Sequence, residues 1–205
     1  MDSIIDDYIQ RARQKYQGSL LVISGPSGVG KGTLVKAVLP LFHNLTVSVS
    51  MTTRKPRPGE VHGHNYFFVS PEEFQTLVRE GAFLEHAVYN GHAYGTPRAF
   101  VHEQMRAGHD VILEIDVQGA SQVRANSQRR TVQIFILPPG QAELKQRLEM
   151  RQTESAEVIA QRLAQVAKEV AELPSYDYYI INDQLDRARD DLAAIIRAER
   201  LRISA

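Results

Sequence analysis

Residues 19–42 read SLLVISGPSGVGKGTLVKAVLPLF, and the order of residue types in this stretch decides the fold. The run at 19–24 is short and rich in Leu, Val and Ile, the pattern of a buried strand. A glycine-rich turn follows at once, Gly25-Pro26-Ser27-Gly28-Val29-Gly30-Lys31-Gly32-Thr33, and then TLVKAVLPLF continues with helical spacing. Glycines allow backbone N–H groups to turn inward around a chain of phosphates, and a helix N-terminus adds a favourable dipole. Lys31 adds a compact positive charge for the β- and γ-phosphates. A strand, such a loop and a helix in that order form a phosphate-binding loop. At one position it departs from the usual pattern. Gly32 stands where Ser or Thr ordinarily offers a hydroxyl to Mg²⁺, so Thr33 is the nearest hydroxyl able to serve, directly or through water.

Outward from this unit, buried-strand patterns recur at 46–50, 111–116, 131–137 and 177–181, and helical stretches alternate with them. That alternation predicts an α/β domain with a mostly parallel sheet flanked by helices. Asp116 is read as the tip of the strand 111–116, where an acid beside a phosphate loop can orient Mg²⁺. Glu114, two residues earlier, is expected on the same strand face. The alternative for Asp116 is a carboxylate held by backbone donors.

Residues 51–95 break the rhythm. TTRKPRPGE is a loop, NYFFV is strand-like, and Ser70-Pro71-Glu72-Glu73 opens a short helix with Ser70 as N-cap and Glu73 completing a capping box. FLEHAVYNGHAYG reads as two strands joined at Asn90-Gly91. A small strand-rich insertion is expected, after which Thr96-Pro97 caps a helix that ends near Gly108. Residues 141–172 are charged and helical with a break near Met150–Ser155, consistent with a mobile lid or a static helical hairpin. Residues 4–16 form an amphipathic helix whose Ile5, Tyr8, Ile9, Ala12 and Tyr16 are expected to pack on the chain's own core, a partner contact being the alternative. The helix at 184–202 should cover the sheet with Leu185, Leu192, Ile195, Ile196 and Leu201 mostly inward.

Composition narrows the function. Lys plus Arg and Asp plus Glu each number 24 in 205 residues, which argues against a general nucleic-acid binder. There is no cysteine, so disulfides, thiolate zinc sites and a Cys nucleophile are excluded. No apolar run approaches the roughly 20 residues that cross a bilayer, and Asp2, Asp6 and Asp7 do not fit a secretory signal. A cytoplasmic protein without a membrane partner is expected. Within Ser50–Gly59, Arg54, Lys55 and Arg57 are cations held among prolines, and Arg grips phosphate oxygens bidentately. This is a second candidate phosphate site.

SGPSGVGKGT, SVSMTTRKPRPGEVHGHNYFFV, FLEHAVYNGHAYGT, ILEIDVQG and IIND, in that order, resemble guanylate kinase, and the likeness runs from about residue 19 to 202. The resemblance implies a P-loop nucleoside-triphosphate hydrolase-like core (19–50, 96–140 and 166–205) behind an N-terminal extension (1–18). It also implies a GMP-binding insertion (51–95), a lid (141–165), Mg²⁺ as cofactor, and transfer of a phosphoryl group from ATP to GMP. It assigns ATP to Gly25–Thr33 with Asn182 and Asp183 near the adenine. Arg54, Arg57, Tyr66 and Tyr94 would hold the GMP phosphate. Ser50, Glu85 and Thr96 would read the guanine, with Glu114 and Asp116 nearby. Lys31, Arg57, Arg151 and Arg162 would act in transfer, and Thr33 and Asp116 would serve the metal. Two departures stand out: Glu114 replaces a frequent Asp, and Met150-Arg151-Gln152 lacks the usual glycines. Two other functions fit the same frame, a non-catalytic phosphopeptide-binding module and a ribose-bisphosphate kinase. A homo-oligomer is left open.

The residues support the guanine reading on chemical grounds. Guanine presents N1–H and an exocyclic amine side by side, and one carboxylate accepts both. Adenine would leave that carboxylate without partners, a penalty of about 1–3 kcal/mol or more. Glu85 is the credible discriminator.

Overall fold

The structure is a computed structural model and describes residues 2–14, 18–89, 91–127, 130–140, 142–144 and 165–202. Two sheets organise it. The larger joins β1 (Leu20–Ser24), β2 (Leu45–Val47), β7 (Asp110–Glu114), β8 (Thr131–Leu137) and β9 (Tyr178–Ile181) in the order β2-β7-β1-β8-β9. Every pairing in it is parallel. The smaller joins β3 (Met51–Thr52), β4 (Phe67–Phe68), β5 (Phe83–Tyr89) and β6 (His92–Pro97) in the order β4-β3-β6-β5.

Alternation along β1 shows how sequence becomes layers. Leu21 and Ile23 face one cluster, closed by Leu34, Val35 and Val38 of α2 (Lys31–Val38) and by Leu192 and Ile196 of α6 (Leu185–Arg200). Leu20 and Val22 face the other, closed by Val101 and Met105 of α4 (Arg98–Arg106) and by Ala120 and Val123 of α5 (Val117–Asn126). Both faces of a parallel sheet are thus covered, which is why its strands are mostly apolar on both faces. Each fully buried Leu, Ile or Val stabilises by about 1.5–3 kcal/mol before entropy is counted.

Several expectations are refined. The strand expected at 46–50 stops at Val47, and Met51 already belongs to the small sheet, so residues 48–50 carry the chain between sheets. The strand expected at 111–116 stops at Glu114, because Asp116 turns to cap α5. The capping role expected of Thr96 is not observed. The N-cap of α4 is Pro97 and makes no side-chain bond, whereas the Thr96 hydroxyl is committed to Glu85. Ser70 does cap α3 (Pro71–Arg79), accepting from the Glu73 backbone N at 3.1 Å. Gly91 has φ 77°, as a tight hairpin requires, while Asn90 lies outside the described residues. In α1 (Asp2–Gln14) the expected packing on the core is not seen for Ile5, Tyr8 and Ile9, while the Ala12 side chain and Tyr16 lie outside the described residues. Ile4, Ile5, Tyr8 and Ile9 are exposed, Tyr8 by 69%, since the faces of the main sheet are already covered. Leu185 and Leu201, at the two ends of the last helix, also remain exposed.

The C-terminal helix is locked to the sheet by polar bonds. Buried Asp110 accepts from the Ser19 backbone N and from Arg200 Nε, both at 2.7 Å, and the Arg200 guanidinium lies 4.8 Å from the Phe42 ring centroid. Glu199 accepts from Arg130 Nη1 at 2.6 Å and from the Tyr178 hydroxyl at 2.7 Å. Burial alone would raise the Glu199 pKa, but these donors hold it below the ordinary value.

Candidate active site

The phosphate loop leaves β1 with Gly25, Gly28 and Gly30 all at positive φ, a region that L side chains rarely adopt. Two of these glycines are also required by close approach. A Cβ on Gly25 would lie 2.3 Å from the Ile136 carbonyl oxygen, and one on Gly30 would lie 2.6 Å from Asn182 Nδ2. Asn182, the residue after β9, is buried and donates from Nδ2 to the Val29 carbonyl at 2.8 Å, which ties the loop to the end of that strand. Lys31 Nζ donates to the carbonyls of Gly25 and Pro26 at 2.6 and 3.2 Å, which stations its charge across the loop.

The second cationic site lies on the small sheet. Arg54 and Glu60 form a two-pronged pair, Nη1 to Oε2 at 2.9 Å and Nη2 to Oε1 at 2.8 Å. Glu60 also accepts from the Arg57 backbone N at 2.7 Å. The Arg54 guanidinium raises its own pKa by this bond and lowers that of the Glu60 carboxyl to about 2. Arg54 sits 5.4 Å from the Tyr66 ring centroid, and Tyr66 meets Tyr94 edge-on at 6.0 Å. Burial, chiefly, pushes the Tyr66 hydroxyl pKa up, so it is a neutral donor at neutral pH.

Glu85, in β5 of the small sheet, is 6% exposed. Glu85 and Thr96 are direct cross-strand partners, and Thr96 Oγ1 donates to Glu85 Oε1 at 2.6 Å. The other oxygen faces α5, where a Cβ on Gly119 would lie only 3.1 Å from Oε2. Burial raises the Glu85 pKa, and the Thr96 bond only partly opposes this. Asp116 caps α5, its Oδ1 accepting from the Gly119 backbone N at 2.8 Å. It also lines a cleft of about 730 Å³ that includes Gln118, Ser121, Lys168 and Glu169. Among the described residues no three His, Asp or Glu side chains are placed to hold a metal ion together.

A family model described as guanylate kinase matches residues 17–199. The chain belongs to the guanylate kinase family. It is 52% identical over 192 residues to the guanylate kinase of Salmonella typhi, covering 92% of this chain and 91% of that one. It is 50% identical over 191 residues to the Escherichia coli guanylate kinase, with the same coverage. The crystal structure of guanylate kinase from Anaplasma phagocytophilum superposes with a TM-score of 0.71 at 35% identity, covering 92% of this chain and 89% of that one.

Against the guanylate kinase pattern, the fold clusters Arg54, Tyr66 and Tyr94, joins Glu85 to Thr96, and sets Asn182 against the phosphate loop. Ser50, in the crossing between sheets, bonds through its carbonyl to the Phe67 backbone N at 2.9 Å. Arg151 and Arg162 lie outside the described residues. Sequence reading missed Glu60, which fixes both the Arg54 side chain and the Arg57 backbone. Its signal was the Arg57-Pro58-Gly59-Glu60 turn, closed by a bond from the Glu60 N to the Arg57 carbonyl. It also missed Gln122, whose amide pairs with the His86 backbone through both its oxygen (3.1 Å) and its nitrogen (3.0 Å), tying α5 to β5.

Proposed function

We propose that this chain catalyses ATP + GMP = ADP + GDP. A buried carboxylate with no cation paired to it among the described residues carries the reading. Glu85 keeps one oxygen on Thr96 and has the chemistry to take the paired N–H groups of guanine. Ser50 and Thr96 complete the base pocket, with Asp116 beside it, and Arg54, Arg57, Tyr66 and Tyr94 receive the phosphate. Gly25–Thr33 and Lys31 hold the ATP phosphates, with Asn182 and Asp183 toward the adenine, and Arg151 and Arg162 approach from the lid. In this reading residues 51–95 form the GMP-binding unit and 141–165 the lid, both closing over the core to exclude water.

No general base is required. The attacking oxygen belongs to a phosphate with a second pKa near 6, so it is already largely ionised at neutral pH. The residues align donor and acceptor and neutralise charge on the transferring group. A divalent metal accompanies ATP in kinases, and Thr33 and Asp116 would serve Mg²⁺ here, directly or through water. When bound it neutralises charge on the β- and γ-phosphates.

A coupled assay of ADP release against GMP, AMP, CMP and UMP tests the reading. Turnover confined to GMP is expected. Equal turnover with AMP would refute the assigned pocket.

A further inference from the structure

The ladder between β5 and β6 slips once, just before Glu85. Phe83 pairs with Pro97, yet Glu85 pairs with Thr96, so Leu84 is an extra residue on its strand. Two cores claim these neighbours. The Phe83 ring stacks on Phe74 in the small core, at 4.6 Å between centroids, while Leu84 is buried in the main core with Leu20, Val22 and Val101. Without the slip, the register that starts at Phe83 would set Leu84 opposite Thr96 and Glu85 opposite Gly95. Glu85 would then point to the other face of the sheet, the one where the Phe83 ring lies against Gly95. The bulge is what brings the Glu85 carboxylate to the Thr96 hydroxyl.

A bulge disrupts the ladder locally, and the carbonyls it leaves over need other partners. Arg98, the first residue of α4, takes those of three successive residues: Gly81 through Nε at 3.4 Å, Ala82 through its backbone N at 2.8 Å, and Phe83 through Nη2 at 3.0 Å. The Leu84 carbonyl accepts from Asn126 Nδ2 at 3.4 Å, and Arg98 Nη1 in turn donates to the Asn126 carbonyl at 3.4 Å, at the end of α5. Beyond Glu85, Gln122 of α5 holds the His86 backbone. The main chain is gripped at every residue from 81 to 84 and again at 86, which leaves Glu85 a single aim. We propose that Arg98 is a positioning residue for guanine selectivity, holding the bulged entry to β5 so that Glu85 faces the base pocket, without itself touching the base. The inference rests on the reading of Glu85 as the acceptor of the guanine N–H groups.

The test measures kcat/KM for GMP and for AMP, with ATP as donor, in the full chain. The variants are Arg98→Ala, Arg98→Lys, Glu85→Gln and the double variant of Arg98→Ala with Glu85→Gln. Arg98→Ala should lower the GMP-to-AMP ratio about fivefold, less than the roughly 10²-fold that a misplacement of about 1 Å can cost. The loss should fall mainly on KM for GMP, with KM for ATP within about twofold of the parent, a split that general loosening of the fold would not produce. Arg98→Lys keeps the charge but not the planar fork, so it should lose about threefold, and it carries the comparison should Arg98→Ala not fold. The double variant should match Glu85→Gln alone to within about twofold, because Arg98 acts through that carboxylate. An unmoved ratio in the folded Arg98 variants, an equal fall for both nucleotides, or effects that multiply in the double variant would overturn the proposal. A ratio unmoved by Glu85→Gln alone would instead refute the reading of Glu85, which is a separate result.

Discussion

The Thr96 hydroxyl stands 2.6 Å from Glu85 Oε1, directly across the β5–β6 ladder, in a pocket that leaves Glu85 6% exposed. Burying a carboxylate without a charged partner opposes folding, and among the described residues no cation is paired to Glu85.

Glu85→Gln should therefore raise stability at neutral pH while damaging recognition. The folded-state pKa of Glu85 is raised by burial. The stability linked to its proton is full below the ordinary Glu range and is lost as pH rises through the raised value. The amide escapes that loss, so its melting temperature should exceed the parent's at pH 7 and converge with it in acid. A variant that melts lower at pH 7 would contradict the assignment.

GMP affinity should fall on acidification through the same window, because the protonated carboxyl no longer accepts both guanine N–H groups. Calorimetric titrations from pH 5 to 8 check this. The GMP phosphate titrates near pH 6 as well, so the comparison with Glu85→Gln isolates the side chain. The variant should lose the part of the pH dependence that guanosine, which has no phosphate, shows with the parent.

Lys31→Met should abolish turnover by at least about 10³-fold while GMP binding by calorimetry stays within threefold. The expected size is that of losing a main charge on the transferring phosphoryl group. Loss of GMP binding together with activity would mean that Lys31 supports the fold instead.

Glu60→Gln should raise KM for GMP about tenfold with a smaller change in kcat. Its carboxylate orients Arg54 and holds the Arg57 backbone rather than touching the reacting atoms. Because Glu60 titrates at about 2, the stability it adds is present above the ordinary Glu value and fades only as pH falls toward 2. The Arg54 pair should thus persist at pH 4 in an acid titration followed by NMR.

Asp110→Ala should destabilise by about 3 kcal/mol, the scale for breaking a buried pair, because it strands Arg200 and the Ser19 backbone N–H. Chemical denaturation measures it, and kcat at 25 °C should be unaffected.

Much of this architecture is written in local pattern. The phosphate loop, the buried parallel strands and the Ser70 cap all rest on neighbours within a few residues, where periodicity and turn chemistry decide. What escaped the sequence depended on distant partners. Thr96 before Pro97 has the form of a helix cap, but Glu85 on the adjacent strand takes its hydroxyl. The metal-orienting acid expected at Asp116, with a backbone-held carboxylate as the alternative, bonds the Gly119 N–H while lining the cleft. The apolar stripe of α1 is amphipathic by spacing, yet spacing says nothing of whether a receiving surface exists. The space that a Cβ on Gly32 would share with the Glu114 carboxylate becomes visible only once β7 lies beside β1.

The ratio of kcat/KM for GMP to that for AMP, measured with ATP for the parent and Glu85→Gln, bears most directly on the central claim. A ratio of at least about 10³ in the parent, falling at least tenfold in the variant, is the expected result, since a site built to bond a polar group strongly rejects its lack. Comparable use of AMP by the parent, or a ratio unmoved by the substitution, would contradict it.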